Sequence, residues 1–130
     1  MEISVKPTLL VIAVALVLAP AAGFAHGQAP QAAHGGRVQD AHGSWVEFVA
    51  KGDQVEIYVT DEHGDPIPAS RISGMASVLI GGQPHKVQLV PAGGNELTGK
   101  LPVPAPDNPV ATVSLKIAGK PATARFASTG

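Results

Sequence analysis

The sequence predicts an all-β domain: a two-sheet antiparallel sandwich of immunoglobulin-like kind, made of seven to eight short strands. A partly open barrel is the other arrangement that the pattern allows. Three observations predict this class. Residues 54–60, Q-V-E-I-Y-V-T, alternate Val55, Ile57 and Val59 with Glu56, Tyr58 and Thr60, the period of a strand with one buried face. Turn residues recur through the chain, which carries 15 Gly and 12 Pro. After the first 25 residues no segment shows a helical period.

The beginning of the chain reads as an export signal rather than as part of the fold. Lys6 supplies a positive start, residues 9–18 an apolar run too short for a membrane span, and Ala19-Pro20-Ala21-Ala22-Gly23-Phe24-Ala25 a small-residue cleavage site. Cleavage is expected after Ala25, with Ala21 and Ala22 as alternatives, giving a periplasmic protein with no membrane span in its mature chain. The remaining length of about 100 residues suits one domain with one core. With 0 Cys the chain has neither disulfide nor lipid-anchor cysteine, and its net charge of −1 offers no basic field for nucleic acid.

Residues 26–36, H-G-Q-A-P-Q-A-A-H-G-G, lack an apolar period and are expected as a flexible His/Gly arm ahead of a β domain over residues 37–127. Residues 37–40 fit a short edge strand. Residues 44–50, S-W-V-E-F-V-A, place Val46 and Phe48 on one face and Trp45, Glu47 and Val49 on the other. Lys51-Gly52-Asp53 is a hairpin connection into the alternating strand, and D-E-H-G-D-P at residues 61–66 is the turn that ends it. Residues 67–75, with Ser73-Gly74 near the end, are expected as a crossover loop with weak extended character. Further strands are expected over 76–80, 85–90, 96–101, 110–117 and 122–126. Between them lie the Gly81-Gly82, Gly93-Gly94 and Gly119 turns and a proline-rich loop over 102–109.

Chemistry concentrates in histidine. Ala25-His26-Gly27, Ala33-His34-Gly35 and Ala41-His42-Gly43 repeat at intervals of eight residues, and His63-Gly64 is a fourth His-Gly pair. A neutral imidazole is a good metal ligand, and with no thiol present it favours copper(II), zinc or nickel. In a straight strand eight residues separate two rings by about 26 Å, so only an arm that folds back brings them together. The expected metal ligands are therefore His26, His34, His42 and His63, with Asp61 as an oxygen donor. If His26 becomes the first residue, its α-amine and ring form a ready copper(II) chelate. His85 reads as a strand residue and Trp45 as a packing residue. No G-x-S-x-G elbow and no HExxH spacing occurs, so the chain is not expected to be an enzyme.

Several motifs, in order, carry a resemblance. His34-Gly35-Gly36-Arg37-Val38, Val46-Glu47-Phe48-Val49, the run Tyr58-Val59-Thr60-Asp61-Glu62-His63-Gly64-Asp65-Pro66 and Pro91-Ala92-Gly93-Gly94-Asn95 are among them. Together they resemble a small periplasmic β-domain associated with heavy-metal efflux adaptors of the Czc/Cus kind, in its stand-alone form. The resemblance covers most of residues 34–126. It implies a β-sandwich linked to metal-cation resistance, with His34 and His63 as matched histidines and an efflux-complex component as a partner. Where the family pattern commonly has a histidine before its V-E-L-V-like strand, this chain has Trp45. The expected function is to bind or buffer a divalent or copper ion, through an arm folding onto the turn at the sheet edge. Its affinity should fall below about pH 6 as imidazoles protonate. The other reading is a metal-free module that docks on an envelope or efflux complex.

Overall fold

A computed structural model describes residues 29–128. The expected signal segment over 1–25 and His26 lie outside the described residues. Eight strands follow one another: β1 Arg37–Ala41, β2 Ser44–Lys51, β3 Gln54–Thr60, β4 Ile72–Ile80, β5 Gln83–Gly93, β6 Glu96–Lys100, β7 Ala111–Ile117 and β8 Lys120–Phe126. The only helical element among the described residues is one 3₁₀ turn, Ala69–Arg71. No helix among them is long and apolar enough to cross a membrane.

All neighbouring strands are antiparallel and hydrogen-bonded in the order β1-β2-β3-β6-β5-β4-β7-β8. The result is one continuous, barrel-like sheet rather than two separate sheets. The cause lies in β5. Its first half pairs with β4, from Gln83 opposite Ile80 to Leu89 opposite Gly74. Its second half pairs with β6, and the register shifts between Pro91 and Gly93. A strand shared in this way turns the corner without ending the ladder.

β4 begins at Ile72, so residues 72–75 are strand where a loop was expected. Ser73-Gly74 reads as a break in the sequence. In the fold, a Cβ on Gly74 would collide with the Ser114 carbonyl and with Leu115 Cδ2 on β7. The glycine serves close strand approach, not a turn.

The alternating strands point one set of residues inward. Val46, Phe48, Val55, Ile57, Val59, Val78, Leu97, Val113, Ala124 and Phe126 are all buried in a single core. The open ends of the sheet meet over this core. Arg37 of β1 donates from Nη1 to the Ala127 carbonyl at 2.7 Å and from Nη2 to the Pro109 carbonyl. Its guanidinium carbon sits 5.6 Å from the Phe48 ring centre and 5.5 Å from that of Phe126. The two rings pack with centres 5.3 Å apart. Arg37 thus joins β1 to the chain on both flanks of the β7–β8 hairpin, through one planar fork.

A histidine held on the outer face of β2 and β3

β2 is unusual in burying both of its faces. Val46 and Phe48 face the core, yet Glu47 and Val49 on the other side are each 6% exposed. The cover is the segment before β1, expected to be a flexible arm. From Ala33 it crosses β2 and lies on the outer face.

Glu47 holds that segment. Its two carboxylate oxygens accept from the Ala33 N–H at 3.3 Å, the His34 N–H at 2.8 Å, the His34 ring Nδ1 at 2.9 Å and the Gly36 N–H at 2.9 Å. A carboxylate amid Trp45, Val46, Phe48 and Val49 has to be satisfied once its face is covered, and the arm supplies every one of these donors. Burial alone pushes the Glu47 carboxyl up. The bonds from the His34 ring and from the Gly36 and His34 N–H groups, with the charge of His34, outweigh that and hold it below its ordinary value. Glu47 is therefore ionised at neutral pH and can only accept, which assigns the shared proton to Nδ1 of His34.

The ring of His34 stacks on Tyr58, opposite Glu47 on β3, with centres 3.5 Å apart and planes 6° from parallel. The Tyr58 hydroxyl donates to Glu56 at 3.0 Å. Burial first, and then the carboxylate of Glu56, keeps this phenol protonated well beyond its ordinary range. With Nδ1 bonded, Nε2 of His34 is left as a lone-pair nitrogen on a ring whose side chain is 41% exposed. A groove of about 180 Å³ borders the ring, lined by Ala33, Trp45, Thr60, Gly64 and Asn95 among others.

The other expected ligands among the described residues, His42, His63 and Asp61, stand at the same end of the sheet, in two exposed turns. His42 is one of the two central residues of the β1–β2 hairpin and has φ 54, followed by Gly43 at φ 95. Positive φ at both positions is the geometry of a tight hairpin turn, and histidine tolerates it better than most side chains. His63 lies in the turn after β3. There Asp61 Oδ1 accepts from the His63 N–H at 2.8 Å and the Asp65 N–H at 2.9 Å. The Asp65 N–H holds the Asp61 carboxyl below its ordinary value against the opposing effect of desolvation, and the His63 N–H adds to the lowering. Asp61 is thus engaged as the cap of its own turn. Gly64 of this turn and His34 border the same groove. Among the described residues, no group of three or more His, Cys, Asp or Glu side chains converges as a metal cluster.

The His-Gly pairs have a backbone reason as well. Gly35, Gly43 and Gly64 have φ 80, 95 and 87, so each of these three glycines makes a turn. Gly36 allows a close approach instead, since a Cβ there would collide with the Phe48 carbonyl and stand 2.7 Å from Val49 Cγ2. The motif His34-Gly35-Gly36 is thus an anchor that lets the arm cross β2. Gly36→Ala is expected to free the arm and cost about 1–3 kcal/mol of stability. Chemical denaturation checks the cost, and loss of the His34–Tyr58 ring-current shifts checks the release.

His34 is singled out by the sequence, whereas Glu47 and Tyr58 are not. An acid in the middle of an otherwise apolar strand was the available sign for Glu47. Comparison with known proteins adds nothing to the geometry: no family model, no curated protein and no solved structure matches the chain.

Proposed function

We propose that the protein binds a divalent or copper ion, with His34 Nε2 as the anchoring ligand, and buffers that ion in the periplasm as part of heavy-metal homeostasis. The observation that carries this reading is the Glu47–His34 pair. Histidines that ligate metals almost always give their other ring N–H to a carboxylate, carbonyl or water, which fixes the tautomer and raises the basicity of the free nitrogen. Tyr58 adds a flat support that fixes the ring plane. His34 fits the role of one imidazole ligand. His63 and His42, from the neighbouring turns, and His26, from the preceding segment, are the nitrogen donors that would join it. Export and the link to efflux rest on the sequence motifs.

The runner-up is a metal-free docking module. Pairing through a sheet edge would have to open the seam that Arg37 closes, which disfavours that form of it.

Calorimetric titration with copper(II), zinc and nickel separates the two readings. Binding of at least one ion is expected, weakened at least tenfold by His34→Ala and less by His63→Ala. No heat with any of the three ions, and no change in the double variant, would leave the docking module.

A further inference from the structure

The charges of the barrel are segregated. The strands β4, β5, β7 and β8 contain no Asp or Glu, whereas β1, β2, β3 and β6 carry Asp40, Glu47, Glu56 and Glu96. The outward residues of the acid-free half fall in rows set by the register. Lys86, Ser77, Thr112 and Arg125 form one row across β5, β4, β7 and β8, and Gln88, Met75, Ser114 and Thr123 form the next. Ser73 and Lys116 pair in the row beyond. Lys86, Lys116 and Arg125 are exposed, and among the described residues none of them enters an ion pair.

The same face holds exposed apolar side chains. Among the described residues the large exposed hydrophobics are Met75, Leu79, Val90, Val103 and Val110. Met75 and Leu79 project outward from β4 and Val90 from β5. Val110 accepts the Leu79 N–H through its carbonyl beside them. Met75, Leu79 and Val110 thus share one sheet face, Val90 stands at its corner where β5 passes from β4 to β6, and a depression of about 170 Å³ opens between Met75, Ser77, Lys86, Thr112 and Ser114. Isolated exposed apolar residues need no explanation, but here they are interleaved with unpaired cations on acid-free strands, the Lys86–Arg125 row lying between Met75 and the Leu79–Val110 pair.

The geometry points to this face as a docking surface for an anionic phospholipid bilayer. Unpaired cations meet lipid phosphates, the Ser and Thr hydroxyls bond to the headgroup oxygens, and Met75, Leu79, Val90 and Val110 enter the interface. Charge complementarity favours this occupant over a second copy of the chain, whose equivalent face would oppose cation to cation. The site is independent of His34 and lies on the other half of the barrel. Attraction to an anionic leaflet amounts to about fivefold in partitioning for each nearby cation, so binding is reversible and salt-sensitive.

The test is sedimentation of the full chain with vesicles of phosphatidylcholine alone or with 30% phosphatidylglycerol (roughly the charge of an anionic leaflet). Binding to neutral vesicles, which includes any contribution of the apolar leader, is subtracted. Excess binding to anionic vesicles is expected, lost in high salt, and reduced about 100-fold by K86Q/K116Q/R125Q together. These side chains are exposed, so the variant should fold, and circular dichroism checks that. Spin-labelled anionic lipid should broaden the Met75 methyl resonance and spare Trp45. Equal binding to both vesicle types, an unchanged triple variant, Trp45 broadened in place of Met75, or capture of an acidic protein without vesicle binding would each overturn the proposal.

Discussion

Arg37→Ala is expected to lower the unfolding free energy by about 2–4 kcal/mol, the largest stability effect expected of a single change. A hydrogen bond from a charged donor contributes about 1.5–3 kcal/mol, and Arg37 makes two, to Pro109 and Ala127. Its position over Phe48 and Phe126 adds a cation–π contribution of about 0.5–2 kcal/mol. These terms overlap, because the truncated site partly refills with water, so their sum overstates the cost. Arg37→Lys separates charge from shape. An ammonium keeps the charge but cannot bridge two carbonyls in one plane, so about half of the loss should remain. Denaturant unfolding measures both variants. A change below about 0.5 kcal/mol for Arg37→Ala would mean that the barrel does not depend on this fork.

Glu47→Ala is expected to release the arm. Ala33, His34 and Gly36 lose the acceptor that three backbone N–H groups and one ring N–H share. Because the freed N–H groups find water, the cost to global stability stays near 1–2 kcal/mol. The local cost is larger: amide exchange at His34 and Gly36 should accelerate roughly 30-fold or more, as for a segment that has lost about 2 kcal/mol of protection. Metal affinity should fall with it, since His34 no longer has a fixed tautomer or ring plane. Acid has the same effect by another route. The folded Glu47 carboxyl lies below its ordinary value of 4.5, so the native state favours its ionised form. The stability gained from docking is complete above the unfolded value and is lost as the pH falls through the lower folded value. Protonation of His34 alone leaves Nδ1–H in place and removes only the lone pair on Nε2.

Much of the fold is legible in the strands that obey a clean alternation. Residues 54–60, 111–117 and 120–126 bury Val55, Ile57, Val59, Val113, Leu115, Ala124 and Phe126 on one side, as their period requires. Legibility ends where a glycine or proline has two meanings. Gly74 looks like a break and is a close strand crossing. Pro84 and Pro91 look like turn residues and lie within β5, opposite Leu79 and Leu97. Strand spacing alone does not reveal that β5 serves both halves of the sheet, because sharing depends on pairings distant in the chain.

The site is half legible. His34 stands out by its His-Gly-Gly context, but its value comes from Glu47 and Tyr58, which are thirteen and more residues away in sequence. Only the β2–β3 register, with Glu47 opposite Tyr58, brings acid and aromatic to one ring. The His-Gly pairs, read for their candidate ligands, also have turn geometry at Gly35, Gly43 and Gly64. Net charge likewise conceals the acid-free face of β4, β5, β7 and β8, because the carboxylates on the other strands cancel its cations.

The most direct test of the central claim is a nitrogen-15 spectrum of the histidine side chains with and without one equivalent of zinc. Without the ion, His34 should show a proton on Nδ1 and a bare Nε2. With zinc, the Nε2 resonance should shift while Nδ1 keeps its proton. A proton on Nε2 in the free protein, or a His34 ring unmoved by zinc, would contradict the claim that Glu47 holds this histidine ready for a metal ion.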